Sequence, residues 1–188
     1  MNMHILYYNF SWMWFNLYLA VLPLIFCWLF FRIKNKFFKY VFGFLWLLYL
    51  PNSIYIFTDL HHLIEQWGRV SEEVKVLLAA QYIIFEAIGL AAFIVGFAPL
   101  ERFFRPWQLI TLNFLFGFAM VLGKVERVNS WDIFTDLGRV INSIIHIISS
   151  IELLGLVLLF GLFSNFFYFL FKDSFSGRFQ MILLGKKN

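Results

Sequence analysis

Charge is scarce in this chain. Of its 188 residues only 14% are Asp, Glu, Lys or Arg, where an average soluble domain carries about 25%. The apolar share is 62%, the aromatic share 22% and the mean hydropathy +0.78. Together these values exclude a water-soluble globule and a disordered tail. Cysteine is nearly absent: Cys27 is alone, so no internal disulfide can form and a disulfide scaffold is excluded. The first 31 residues contain no Lys, Arg, Asp or Glu. A secretory signal opens on basic residues and ends its apolar core after about 7–15 residues, so this segment reads as a retained span. The net charge of +4 does not point to nucleic acid, because the basic residues sit at the ends of apolar runs.

What is present is a set of apolar runs of membrane-crossing length. The expected fold class is all-α, a polytopic transmembrane helix bundle of about five spans forming one transmembrane domain over 1–188. The spans are expected near 12–31, 40–58, 76–100, 107–123 and 153–171, with Pro23 a candidate kink and Pro51 a break. The 32 residues Val140–Phe171 would reach about 48 Å as one helix, which is too long for a hydrocarbon core of about 30 Å. Asp132, Asp136, Arg139, Ser143 and His146 recur at helical spacing up to and into its first part. An amphipathic interfacial helix over 131–150 is therefore expected before the last span.

Lys and Arg set the expected orientation. Ten lie in connections on one side (Arg32, Lys34, Lys36, Lys39, Arg102, Arg105, Lys172, Arg178, Lys186 and Lys187). Five lie on the other (Arg69, Lys75, Lys124, Arg127 and Arg139). The expectation is a multi-pass protein of the cell (inner or plasma) membrane, with its N-terminus outside and its C-terminus cytoplasmic.

Two stretches match at an offset of 77 residues: Asn52–Leu60 and Asn129–Leu137 are identical at seven of nine positions. Each follows an outward-running span. Either a duplication relates spans one and two to spans three and four, or both stretches share a local geometry in which Asn and Ser cap a restarting helix. Both readings put two polar elements on the same face of the membrane.

From Asn52, the residues Tyr55, Asp59, His62 and Gln66 follow at offsets of 3, 7, 10 and 14, which is one stripe on a continuous helix. Lipid cannot satisfy an amide or carboxylate, so the stripe must face protein, cavity or water. The second element supplies Arg127, Asn129, Ser130, Trp131 and Asp132, with Arg127 a partner for Asp59 or Asp132. Asp59, His62, Asp132 and His146 are metal-ligand types, but no HExxH or paired CxxC motif accompanies them. A headgroup-wetted His61-His62 pair is the competing reading, and no cofactor is named. Ser53 and Ser130 lack a nucleophile elbow. Glu86, mid-span, is either part of a proton or cation path or a protonated acid bonded to Asn113 or another span. Glu152 reads as an interfacial charge.

Across Leu50-Pro51-Asn52-Ser53-Ile54-Tyr55-Ile56-Phe57-Thr58-Asp59-Leu60, completed by His62 and Leu63, and Arg127-Val128-Asn129-Ser130-Trp131-Asp132, the chain resembles a bacterial membrane family catalogued as domain of unknown function 1361. Ile54 stands where that family often has a second Pro, and Val128 where a Trp is common. The resemblance implies a location and no reaction: Asn52, Asp59, His62, Arg127, Asn129, Trp131 and Asp132 belong to one site. Three functions are open. The first is an extracytoplasmic polar site that binds a small polar ligand, ion or lipid headgroup in a transport or binding role. The second is an intramembrane hydrolase or transferase, metal-dependent or not, acting on lipid-linked substrates. The third is an accessory subunit of a membrane complex. The lipid bilayer is an expected partner, a small polar ligand or lipid headgroup is a candidate one, and no protein partner is named.

Overall fold

The computed structural model describes residues 3–184, the last ten as backbone only. The helices are α1 (His4–Arg32), α2 (Lys36–Tyr49), α3 (Pro51–Tyr55), α4 (Leu60–Trp67), α5 (Glu72–Phe97), α6 (Pro106–Lys124), α7 (Asp132–Thr135), α8 (Leu137–Ser149) and α9 (Ile151–Leu184). Turns of 3-10 helix link α3 to α4 (Ile56–Asp59) and follow α5 (Ala98–Arg102). No strand occurs among the described residues. Among the described residues, five stretches are long and apolar enough to cross a membrane: His4–Arg32, Lys36–Trp67, Glu72–Arg102, Pro106–Lys124 and Ile151–Ser174. The chain is a multi-pass, all-α membrane protein.

Two boundaries differ from the sequence expectation. The first helix starts at His4 and runs through Pro23 unbroken. The second stretch continues to Trp67, nine residues beyond Thr58. Pro51 occupies the first turn of α3, where its missing N–H costs no hydrogen bond, so the chain resumes a helix at once. Asn52 and Ser53 do not cap that helix. The Asn52 amide donates to the Tyr49 carbonyl at 3.0 Å and the Ser53 hydroxyl to the Ala20 carbonyl at 2.7 Å.

α1 lies antiparallel beside the whole of Lys36–Trp67. Phe30 meets Trp46, Phe26 meets Tyr49, Ala20 meets Ser53, Asn16 meets Asp59, Trp12 meets His62 and Asn9 meets Gln66. The buried face of α1 is Asn9, Met13, Ala20, Pro23 and Cys27, a stripe at helical spacing. α5 is the central helix: Trp12 packs on Tyr82 and Phe85, and Trp46 donates to the Gly96 carbonyl at 2.9 Å. α6 crosses α9 at Gly117 and Gly161. A Cβ on Gly117 would stand 2.5 Å from the Val157 carbonyl oxygen and 2.6 Å from the Gly161 nitrogen. Lipid tails are as apolar as leucine, so helix association here rests on such close packing. Asn113 adds a side-chain hydrogen bond across the crossing, donating to Asn165 at 3.0 Å.

Many large apolar side chains remain exposed on the outside of the bundle. Tyr7, Tyr8, Trp14 and Trp67 lie towards one end, and Trp28, Tyr40 and Trp107 towards the other. The helix from Tyr7 to Trp28 rises about 32 Å, close to the thickness of a hydrocarbon core. The expected amphipathic helix over 131–150 is two helices. Asp136, with φ −148°, breaks it and caps α8 by accepting from the Arg139 N–H at 3.1 Å. α8 buries Val140, Ser143 and Ile147 and exposes Leu137, Ile141, Ile145 and Ile148. The two matching stretches also fold differently. Residues 52–60 are helical throughout, whereas 129–137 hold a turn, a short helix and a break. α1 and α2 pack along each other while α5 and α6 do not, so the likeness is local.

The glycine crossing predicts an opposed pair of effects. Gly117→Ala is expected to lower stability by about 1–3 kcal/mol through overpacking. Gly155→Ala, with nothing within 4 Å of the new methyl, raises it by about 0.5–1 kcal/mol. Unfolding of the detergent-purified protein measures both.

Candidate functional site

Asp59 is a buried acid with a lysine hydrogen-bonded to it, and it stands where three elements meet. It ends the 3-10 turn between α3 and α4 and is 3% exposed. Its Oδ1 accepts from Lys124 Nζ at the end of α6, and its Oδ2 from the Asn16 amide on α1, both at 3.1 Å. Lys124 also stands 5.7 Å from the centre of the Tyr55 ring. A carboxylate in an apolar bundle has to be paired and hydrogen-bonded. This one is met on both oxygens.

The 3-10 turn divides the polar stripe. A 3-10 helix advances about 120° per residue and an α-helix about 100°, so four residues add about 80° of rotation. Asn52 and Tyr55 consequently face α6 and the loop beyond it, while His62 and Gln66 face α1. Gln66 and Asn9 exchange amide hydrogen bonds at 2.7 and 3.0 Å, and Trp12 Nε1 donates to Asn9 at 3.2 Å.

The loop after α6 turns sharply. Arg127 adopts a left-handed conformation (φ 54°) and the Val128 N–H returns to the Leu122 carbonyl at 3.0 Å. A non-glycine residue there costs about 1–2 kcal/mol. Asp132 closes the next turn: its Oδ2 accepts from the Asn129 N–H at 2.8 Å while its own N–H donates to the Asn129 carbonyl at 2.9 Å. Arg139, from α8, clamps the loop by donating to the Arg127 carbonyl at 2.8 Å, with its other nitrogen 3.9 Å from Asp132. The loop is thereby laid across the bundle so that Ser130 accepts from the Asn52 amide at 3.0 Å and Trp131 packs edge-on against Phe15.

Beneath this contact lies a cleft of about 300 Å³. Its walls are apolar: Phe15, Leu19, Leu48, Pro51, Ala119, Met120, Leu122, Val128, Ile133, Val140 and Ile144. Its polar groups come from Asn16, Asn52, Tyr55, Asn129 and Ser130, with Trp131 at the loop. Five residues expected in the site from sequence, Asn52, Tyr55, Asn129, Ser130 and Trp131, line this one cavity. Asp59 supports it from behind through Asn16.

Other expectations are corrected. The cation beside Asp59 is Lys124, and the one nearest Asp132 is Arg139; Arg127 fills neither place and is exposed. The metal-ligand types Asp59, His62, Asp132 and His146 do not converge, since His146 Nδ1 lies 2.8 Å from Glu126 and His62 Nδ1 lies 3.4 Å from Glu65. Asn113 bonds Asn165, not Glu86, whose two buried carboxyl oxygens meet no hydrogen-bond partner among the described residues.

By sequence alone Lys124 is a loop charge, Asn16 part of an apolar span and Arg139 part of an amphipathic face. The spacing of Asn9 and Asn16 within an otherwise apolar run is the signal that would have placed them on the buried face of α1. The buried pair generates a prediction. Lys124→Met leaves the Asp59 carboxylate without its cation and is expected to cost about 3 kcal/mol, at the low end for a buried pair because Lys124 is partly exposed. Adding Asp59→Asn to Lys124→Met should recover most of that loss in detergent unfolding curves.

Comparison with curated proteins and with solved structures finds no match. The family description "Protein of unknown function (DUF1361)" matches residues 15–167, which include the polar stripe, the loop after α6 and the cleft between them. The chain belongs to that family.

Proposed function

We propose that the cleft binds a lipid-type molecule, with its apolar part on the cleft wall and its polar headgroup against Asn52, Asn129 and Ser130. The observation that carries this reading is the composition of one cavity, in which amide and hydroxyl groups converge at one rim over a largely apolar wall. Ligand sites have this character: apolar lining with a few placed polar groups. Arg127, exposed on the same loop, supplies positive charge suited to a phosphate headgroup. Tyr55 and Trp131 are amphipathic rings of the kind favoured at headgroup depth.

Binding is favoured over hydrolysis by the partner of Ser130. Its hydroxyl meets the Asn52 amide, whereas an activated serine needs a base within hydrogen-bond reach. The bias of Lys and Arg supports a cleft facing the extracytoplasmic side, with the C-terminus cytoplasmic.

Native mass spectrometry of the protein released from its own membranes tests the reading. The wild type is expected to retain one lipid. Asn52→Leu, similar in volume but without the amide, should weaken retention about tenfold, the loss of about 1.4 kcal/mol in hydrogen bonding. Equal retention by wild type and Asn52→Leu, or none by the wild type, would overturn it.

A further inference from the structure

We infer that His61, His62 and Glu65 form a binding site for a divalent transition metal of the zinc class, outside the cleft. The donor atoms of these three residues lie within 4.8 Å of one another. Two imidazoles and a carboxylate are a zinc donor set, and three protein ligands leave a further position for water. The hard cations Ca²⁺ and Mg²⁺ prefer all-oxygen shells and fit it poorly.

Two features orient the donors. The Nδ1 of His61 stands 2.8 Å from the Thr58 carbonyl. A carbonyl only accepts, so Nδ1 carries the proton and the Nε2 lone pair is left for a metal. A ring nitrogen bonded to a backbone carbonyl is the usual outer-shell support of a metal-binding histidine. His62 is held by the edge of the Trp12 ring, with centroids 5.5 Å apart, and its ring lies 3.7 Å from that of His61. Glu65 follows His61 by one helical turn on α4 and is exposed. A metal can therefore arrive from solvent without opening the bundle.

The local helix explains why the donors meet. The 3-10 turn at Ile56–Asp59 feeds directly into α4 and brings the Thr58 carbonyl to the Nδ1 of His61. Asp59, three residues before His62, is already engaged by Lys124 and Asn16, so the ligand set consists of the two histidines and Glu65. The inference does not rest on the lipid reading of the cleft.

The test uses the full chain with any affinity tag removed, stripped by chelator and titrated with Zn²⁺ against a chromophoric competitor. One equivalent should bind, and His61→Ala or Glu65→Ala should weaken it at least tenfold. His146→Ala, which removes the other histidine paired with an acid, should leave it unchanged. Cu²⁺ should quench Trp12 fluorescence in a variant keeping that tryptophan alone. Absence of stoichiometric Zn²⁺ uptake by the wild type would overturn the inference. So would binding that survives the combined replacement of His61, His62 and Glu65, or loss on His146→Ala alone. Because all three ligands are partly or fully exposed, the variants should keep the wild-type unfolding transition, and His61→Gln serves as a second, milder replacement.

Discussion

A carboxylate buried among apolar helices has to be neutralised where it stands, and the architecture around Asp59 follows from that constraint. Lys124 closes α6 against it and Asn16 holds α1 to it. These two contacts fix the depth at which three separate elements meet. Gly123, beside Lys124, brings the α6 backbone close to the Tyr55 ring, and the chain leaving α6 is then obliged to turn across the bundle. The left-handed Arg127 and the Asp132 turn accomplish this within a few residues. The cleft is the space left between that loop and the Asn52 helix.

Rigidity elsewhere supports this arrangement. The Gly117–Gly161 crossing holds α6 against α9 at backbone contact, so the end of α6 that carries Lys124 is not free to drift. On the opposite side, the reciprocal Asn9–Gln66 amide pair ties α1 to α4. Apolar helices in lipid gain little from hiding leucine alone, so small residues and satisfied amides decide which helices neighbour which. The cleft thus lies between two fixed walls, and its polar rim comes from the loop that Arg139 clamps.

The fold was largely legible because its signal is one-dimensional: runs of apolar residues and their charged ends. The second stretch runs past Thr58 to Trp67 because Pro51 sits in a first helical turn and the charge of Asp59 is met by Lys124, neither of which an uncharged run reveals. The site was legible in part. Asn52, Tyr55, Asn129, Ser130 and Trp131 do share a cavity. The pairing of charges was not legible, since Lys124 in a loop count looks the same as Lys75 and only the three-dimensional crossing gives it Asp59. The division of the stripe was equally hidden, because a single 3-10 turn leaves no mark in residue spacing yet rotates His62 away from Asn52. The matching stretches misled in one respect: Asn and Ser suggested caps, whereas Asn35 and Asp136 provide caps in this chain.

The central claim is that the Asn52 helix and the Ser130 loop, far apart in sequence, meet over one cleft. Replacing Asn52 and Ser130 with cysteine in a Cys27→Ser background, then treating membranes with a short bifunctional thiol reagent, measures this directly. Efficient intramolecular cross-linking of the pair is the predicted result, with little for Asn52 combined with a cysteine at Ser149 at the far end of α8. Failure of the first pair to cross-link while both cysteines react singly would contradict the account.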